Sequence, residues 1–272
     1  MKNKIYILIC VLCMLVACTQ NNNKQPLQIL FTNDSHSQVE PLKGLGGFEA
    51  RAAILDSLRA INPNTILLDA GDMWQGSPYF NMFKGRLEVD AYNLMGYNAA
   101  TLGNHEFDYG IDTLAARINE MNFPILCCNY NFGNTPLADK IKPYTIIKQA
   151  GWTIGIIGVS VNPEGLILQS NIEGIQYEDP IKCVNHYANL LRNELNCNYI
   201  IVLSHLGLHD DTIFDNVADS ALIANSHNID IVLGGHTHQY NGVFKFTDLD
   251  GDTIPAIQEY KAGQKIYSIT IK

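Results

Sequence analysis

Two histidines one residue apart, His236 and His238, follow an apolar run and a glycine pair in the segment DIVLGGHTHQY. The same juxtaposition of an apolar run and a polar cluster recurs four more times. The clusters are TNDSH with Asp34 and His36, DAGD with Asp69 and Asp72, GNHEFD with Asn104, His105 and Asp108, and SHLG with His205. Five of the chain's eight histidines fall in these clusters. Imidazole, carboxylate and amide donors without a thiolate suit Mn²⁺, Fe²⁺, Zn²⁺ or Co²⁺ better than Ca²⁺ or a cysteine-bound zinc. Asp34, His36, Asp72, Asn104, His205, His236 and His238 are more donors than one tetrahedral ion needs. They suit two ions that share a bridging carboxylate, roughly 3.5–4 Å apart, as in two-metal hydrolases. Residues i and i+2 on an extended segment point to the same side, so Asp34 with His36, and His236 with His238, should each face one point.

These residues are spread over some two hundred positions, so a fold must gather them. Strand-like and helix-like segments alternate from residue 27 onward. LQILFTND, TILLDAGD, NAATLGN, FPILCCN, NYIIVLSH and DIVLGGH read as strands. GFEARAAILDSLRA, LEVDAYNLMG (closed by Gly96), GIDTLAARINEM, IKCVNHYANLLRNEL and DTIFDNVADSALIANS read as helices. YTIIKQAG and WTIGIIGVS predict a hairpin around Ala150–Gly151, and the end of the chain is β-rich. No internal repeat or Pro/Gly/Ser-rich break divides residues 27–272, which predicts one α/β domain. In open α/β sheets, ligands bind beyond the carboxyl ends of the strands, where all five clusters lie.

Composition narrows the partners. The chain has 272 residues and a net charge of −9, with no basic run, which argues against nucleic acid as a partner. An anionic substrate stays compatible, because bound divalent cations reverse the local sign. Residues 1–17 combine Lys2 and Lys4 with a thirteen-residue apolar run, Ile5–Ala17, too short to span a bilayer but suited to a signal-peptide core. The LVAC ending resembles a bacterial lipobox, so Cys18 is expected to carry lipid and residues 18–26 to form a linker. The expected location is the bacterial cell envelope, lipid-anchored on a periplasmic or extracellular face. Four cysteines lie beyond this leader. Cys127 and Cys128 read as small buried strand residues, and Cys183 with Cys197 as a pair that an oxidising compartment would allow to join.

The segments ILFTNDSHSQVEP, GGFEARAAIL, LLDAGDMWQGSPYF, ATLGNHEFDYG, IVLSHLG and VLGGHTHQ, in this order, resemble the calcineurin-like metallophosphoesterases. Among them the chain looks like the catalytic domain of the 5′-nucleotidase/UDP-sugar hydrolase family, and PAIQEYKAGQKIYSITIK resembles the last strand pair of that domain. The resemblance implies a four-layer α/β/β/α sandwich with two mixed sheets. It implies that Asp34, His36 and His238 hold one divalent ion, that Asn104, His205 and His236 hold a second, and that Asp72 bridges them. Mn, Zn, Fe, Co and Mg are all compatible with this set. His105, oriented by Asp108, would stabilise the phosphoryl oxygens or protonate the leaving oxygen, and Asn104 would also touch the phosphate. Full-length relatives carry a further C-terminal domain that selects the nucleotide. The resemblance ends with the catalytic domain, so nucleotide choice is expected to be weak or supplied in trans by a separate specificity-domain protein.

The expected function is therefore metal-dependent release of phosphate from a small phosphorylated substrate, foremost 5′-nucleotides. Alternatives are a phosphodiesterase or pyrophosphatase acting on cyclic nucleotides or nucleotide sugars, and a non-catalytic lipoprotein that binds metal or a partner. Asp69 reads as structural, and His186, His209 and His227 as surface residues. Trp74, Tyr79 and Phe80 read as packing beside the cleft. Glu106 is set aside because neighbours on a strand diverge.

Overall fold

A computed structural model describes residues 24–209 and 217–272. The expected signal segment, Cys18 and most of the linker lie outside the described residues, as does the first part of the helix expected from Asp211.

The first half of the chain alternates as its sequence pattern predicts. It runs β1 (Leu27–Thr32), α1 (Phe48–Ile61), β2 (Thr65–Asp69), α2 (Pro78–Phe83), α3 (Arg86–Met95), β3 (Ala99–Thr101), α4 (Gly110–Ile118) and β4 (Ile125–Leu126). The second half adds β5 (Tyr130–Asn131), β6 (Tyr144–Gln149), β7 (Trp152–Ser160), β8 (Gln176–Tyr177), α5 (Pro180–Asn189), β9 (Tyr199–His205), α6 (Asp219–Ala224) and β10 (Ile231–Gly234). It closes with β11 (Gly242–Thr247), β12 (Thr253–Gln258) and β13 (Tyr267–Ile271). Gly96 ends α3 in the left-handed conformation, and the β6–β7 hairpin turns on Ala150 and Gly151 with φ of 53° and 80°. The short helix α2, capped by the Ser77 hydroxyl, is an addition to the expected elements. The strand expected over FPILCCN shrinks to Ile125–Leu126, because beyond it the Cys127 and Cys128 amides bond to Lys142 and Gly158 as the chain crosses to the other sheet.

Two sheets face each other. One has the order β13-β1-β2-β3-β4, with β13 antiparallel and the rest parallel. The other has the order β11-β12-β10-β9-β7-β6, parallel at its centre with an antiparallel strand at each edge. The period-2 alternation of each strand divides its side chains between two cores. Leu27, Ile29 and Phe31 of β1 point between the sheets, meeting Ile154, Ile201 and Leu233. Leu30 points outward to Leu55, Val89 and Leu114 on the helices. On the far side, Ile157, Ile200 and Val232 meet Val184, Ala188 and Leu222. The layers are thus helix, sheet, sheet, helix, with both sheets mixed, as the sequence resemblance implies. Central strands β1, β2, β3, β9 and β10 are parallel within their sheets and bring their carboxyl ends to one edge of the sandwich.

Cys183 and Cys197 are both free thiols, as are Cys127 and Cys128. Cys197 is buried just before β9, whereas Cys183 lies next to Glu178 at 3.6 Å.

Candidate metal centre

Asp34, His36, Asp72 and His238 each bring one donor atom into a group whose members all lie within 4.8 Å of one another. His36 Nε2 and His238 Nε2 are 2.8 Å apart, and His238 Nε2 is 3.0 Å from Asp34 Oδ1. His205 joins from the end of β9. Its Nδ1–H donates to the Ala70 carbonyl at 2.7 Å, which fixes the tautomer and turns Nε2 inward, 3.1 Å from Asp72 Oδ2. His236 packs beside it, ring centroids 5.2 Å apart, and its backbone N–H donates to both oxygens of Asp34 at 3.0 and 3.1 Å. Asn104 is buried next to His105, whose N–H donates to Asp72 Oδ1 at 2.9 Å. Asp34, His36, Asp72, Asn104, His205, His236 and His238 therefore all lie at this one edge.

The local backbone is not the extended one that the i, i+2 spacing suggested. Asp34, His36, Asp72, His236 and His238 have φ of 47°, 46°, 53°, 85° and 56°. These non-glycine residues sit in the left-handed region, each at a cost of order 1–3 kcal/mol by general experience. The strands have already ended, at Thr32, Asp69 and Gly234. Hydrogen bonds across the gap hold the turns: Asp34 N–H to Gly71 O, His36 N–H to Asp72 O, and Ala262 N–H to Asp34 O. Gly103 is required here, because a Cβ would run into the Asp72 carboxylate.

Two features escaped the sequence reading. Glu106 was set aside on strand geometry, but residues His105–Phe107 form a 3₁₀ turn that sends its side chain into the protein. It accepts from the backbone N–H groups of Asp72, Met73 and Gly103 at 3.0, 2.9 and 2.6 Å, and so holds the Asp72 loop. Burial and the nearby Asp72 charge push its pKa up to about 8. Asp219, at the start of α6, is fully buried and accepts from the Ser204 hydroxyl, one residue before His205. Nothing in the local sequence distinguishes either from a solvated acid on a helix or turn. Asp69 is structural, as expected: it accepts from the Thr32 hydroxyl, the Tyr92 hydroxyl and the Gly71 N–H.

Burial works against charge throughout the cluster, yet the pairings outweigh it for the two central acids. Asp34 and Asp72 are held below the usual carboxylate range against burial, Asp34 mainly by His238 and His205, Asp72 mainly by His205 and His36. His205 is pushed up to about 10: burial opposes its charge, and Asp72 and Asp34 override it. His236 is pushed down to about 4 by burial and by His205. Two buried carboxylates thus require positive charge, and the His205 proton is one source that bound cations would replace. The donor set fits such cations. Asn104 Oδ1 is a buried atom with no hydrogen-bond partner among the described residues, as a ligand to a cation would be. His105 stands apart: its Nδ1 lies 3.0 Å from Asp108 Oδ2, and its ring edge faces His36 with centroids 5.4 Å apart. Burial lowers its proton affinity, but Asp108 and Asp72 more than offset this and raise it overall.

His36, His105 and His238 open into a cavity of about 350 Å³ completed by Gln38, Gln75 and Lys261. Trp74 and Phe80 are buried packing beside it, and Tyr79 donates to Glu40 at 3.0 Å. His186, His209 and His227 are exposed; His227 pairs with Asp250, and His209 leans on Tyr240 and Phe246.

A calcineurin-like phosphoesterase family model matches residues 27–240. The bovine (Bos taurus) 5′-nucleotidase is 32% identical over 268 residues, 88% of this chain and 45% of the relative. Among solved structures, a 5′-nucleotidase precursor from Thermus thermophilus superposes with a TM-score of 0.83 at 26% identity, covering 91% of this chain and 51% of that one. The NAD nucleotidase of Haemophilus influenzae gives a TM-score of 0.80 at 27% identity, covering 90% and 52%. The chain spans about half the length of these three relatives.

Proposed function

For a chain that belongs to the calcineurin-like phosphoesterase family, we propose metal-dependent hydrolysis of phosphomonoesters, with 5′-nucleotides as the foremost substrates. The observation that carries this reading is the convergence of Asp34, His36, Asp72 and His238 within 4.8 Å, next to a histidine backed by a carboxylate. Asp34, His36 and His238 would hold one divalent ion, and Asn104, His205 and His236 a second, with Asp72 shared between them. Two such ions supply Lewis-acid charge for the phosphoryl oxygens and lower the pKa of attacking water.

The chain's own residues do the rest. The cavity over His36 and His238 would admit the phosphate, and Asn104, buried next to His105, would touch it. His105 stands at the side of the leaving oxygen. The Asp108 carboxylate accepts from Nδ1–H, so that in the doubly protonated ring the Nε2–H would donate its proton to that oxygen, leaving the neutral imidazole with Nδ1–H. Asp108 and Asp72 raise the proton affinity of His105 against burial, which favours the protonated ring. Similarity to 5′-nucleotidases supports nucleotides as substrates. Residues 27–272 form the catalytic unit in this reading. The first seventeen residues act as a signal segment, and lipid on Cys18 holds the protein at the cell envelope.

Phosphate release from 5′-AMP, followed with added Mn²⁺ and with chelator beside a small aryl phosphate, tests the proposal. Metal-dependent release is expected, and His105→Ala should lose it while retaining bound metal. A chain that binds metal but releases no phosphate from either ester is a binding protein instead.

A further inference from the structure

Asn33 stands between the end of β1 and Asp34 and is fully buried. Its side-chain amide is engaged on every side. Nδ2 donates to the Glu259 carbonyl at 2.9 Å and to Asp34 Oδ2, and Oδ1 accepts from the Glu259 N–H at 3.1 Å. We infer that Asn33 is a positioning residue for the metal centre: it locks the Asp34 carboxylate with Oδ1 toward the ions and anchors it to the opposite sheet. The inference rests on the two-ion reading above and names a group that acts through a ligand without touching an ion.

Three observations support it. First, the amide can sit only one way. Turned over, it would set its oxygen against the Glu259 carbonyl and the Asp34 carboxylate, and its NH₂ against the Glu259 N–H. The Glu259 peptide therefore dictates that Asp34 meets a donor. Second, the two oxygens of Asp34 have different surroundings. Oδ1 faces the cluster, 3.0 Å from His238 Nε2 and 3.9 Å from Nε2 of both His36 and His205. Oδ2 takes the Asn33 donor and lies so close to Gly235 that a Cβ there would sit 2.7 Å from it. Third, the centre straddles the two sheets. Asp34 and Asp72 follow β1 and β2 of one, whereas His205 and His236 come from the ends of β9 and β10 of the other. Glu259 follows β12 of that second sheet, so the Asn33–Glu259 pair joins the sheets directly beside a ligand. The preceding residue, Gln258, holds the other half: its Nε2 donates to Gly235 O at 2.8 Å and Thr237 Oγ1 at 3.1 Å, within the turn that carries His236 and His238. A carboxylate ligand fixed by such a donor loses less freedom when an ion binds.

The test measures Mn²⁺ affinity by competition with a chelating dye, in the parent, Asn33→Ala and Asn129→Ala. Asn129 is a matched control. It is equally buried and makes the same pair of bonds to one residue, Nδ2 to Ser160 O at 2.7 Å and Ser160 N–H to Oδ1 at 2.9 Å, but it bonds to none of the proposed ligands. Both variants should lower the urea midpoint, because each leaves buried peptide groups unpaired. Only Asn33→Ala should weaken Mn²⁺ binding, by about 10–100-fold. Unchanged affinity in Asn33→Ala, or an equal loss in Asn129→Ala, would overturn the positioning role. A crystal structure of the Mn²⁺-loaded parent decides the matter should Asn33→Ala not fold. Asp34 should reach the ion through Oδ1 with Oδ2 still on Asn33 Nδ2, and an Asn33 amide detached from Asp34 would overturn the inference. Phosphate release from 5′-AMP separates this result from the hydrolase reading. Asn33-dependent Mn²⁺ binding without release keeps the positioning role and removes the hydrolase. Metal-dependent release with an affinity that ignores Asn33 does the reverse, and a parent chain that binds no Mn²⁺ overturns both.

Discussion

Between the sheets, Ile29, Leu68, Leu203 and Leu233 are fully buried, apolar and on regular strands. A few residues farther along the same chain segments, Asp34, Asp72 and His205 are equally or nearly as enclosed but polar, His236 is half-buried, and three of the four have positive φ. The interior follows every local rule for a strand, and the crest breaks several at once. Buried carboxylates, unpartnered donors and left-handed backbone all cost stability. The regular interior offsets that cost and holds the crest in place. Substitutions should therefore separate the two regions: crest changes remove chemistry, and core changes remove stability.

The largest effect is expected at the shared carboxylate. Asp72→Asn keeps the shape but not the charge, and phosphate release should fall by about 10³-fold or more, equivalent to several kcal/mol of barrier. A large fall in stability with activity retained would erase the distinction between crest and core. Leu203→Ala makes the converse point. It should lower unfolding free energy by roughly 2–5 kcal/mol, read from urea denaturation, with metal content unchanged in the folded protein. Glu106→Gln lies between the regions, since Glu106 holds the Asp72 loop through three backbone N–H groups. Metal affinity measured by titration should weaken about 10–100-fold, as for other groups that hold ligands in place. No change would assign Glu106 to folding alone.

The smallest effect concerns pH. Burial pushes the Asp219 carboxyl up to about 7 in the folded protein, above its ordinary value of 3.8. Between these values the folded protein keeps a proton that the unfolded chain releases. Asp219 thus contributes stability that is fully present below pH 3.8 and lost as pH rises through about 7. Asp219→Asn lacks that loss, so its stability relative to the parent should improve by about 1 kcal/mol from pH 5 to pH 6. Parallel denaturation curves across that interval would mean that Asp219 is already ionised in the fold.

Sequence patterns made the interior legible, since the strands alternate as written and the helices lie where apolar spacing puts them. At the crest, the residue types were legible but their geometry was not. Asp34 with His36, and His236 with His238, converge because turns are held by hydrogen bonds to the Gly71 and Asp72 carbonyls, from the Ala262 N–H, and from the His236 N–H to the Asp34 carboxylate, which spacing along one strand cannot encode. Glu106 was passed over because its inward turn depends on donors from the distant Asp72 loop and from Gly103. Asn104, by contrast, was legible because it belongs to the GNHEFD cluster directly after a strand end, and in the fold it is buried beside His105.

The most direct test of the account is the number of metal ions this chain holds. After equilibration with Mn²⁺ and removal of free ion, elemental analysis should give two per chain. Phosphate release from 5′-AMP should rise with occupancy and vanish with chelator. One ion or none at saturation, or release that ignores the chelator, would contradict the proposed two-metal centre.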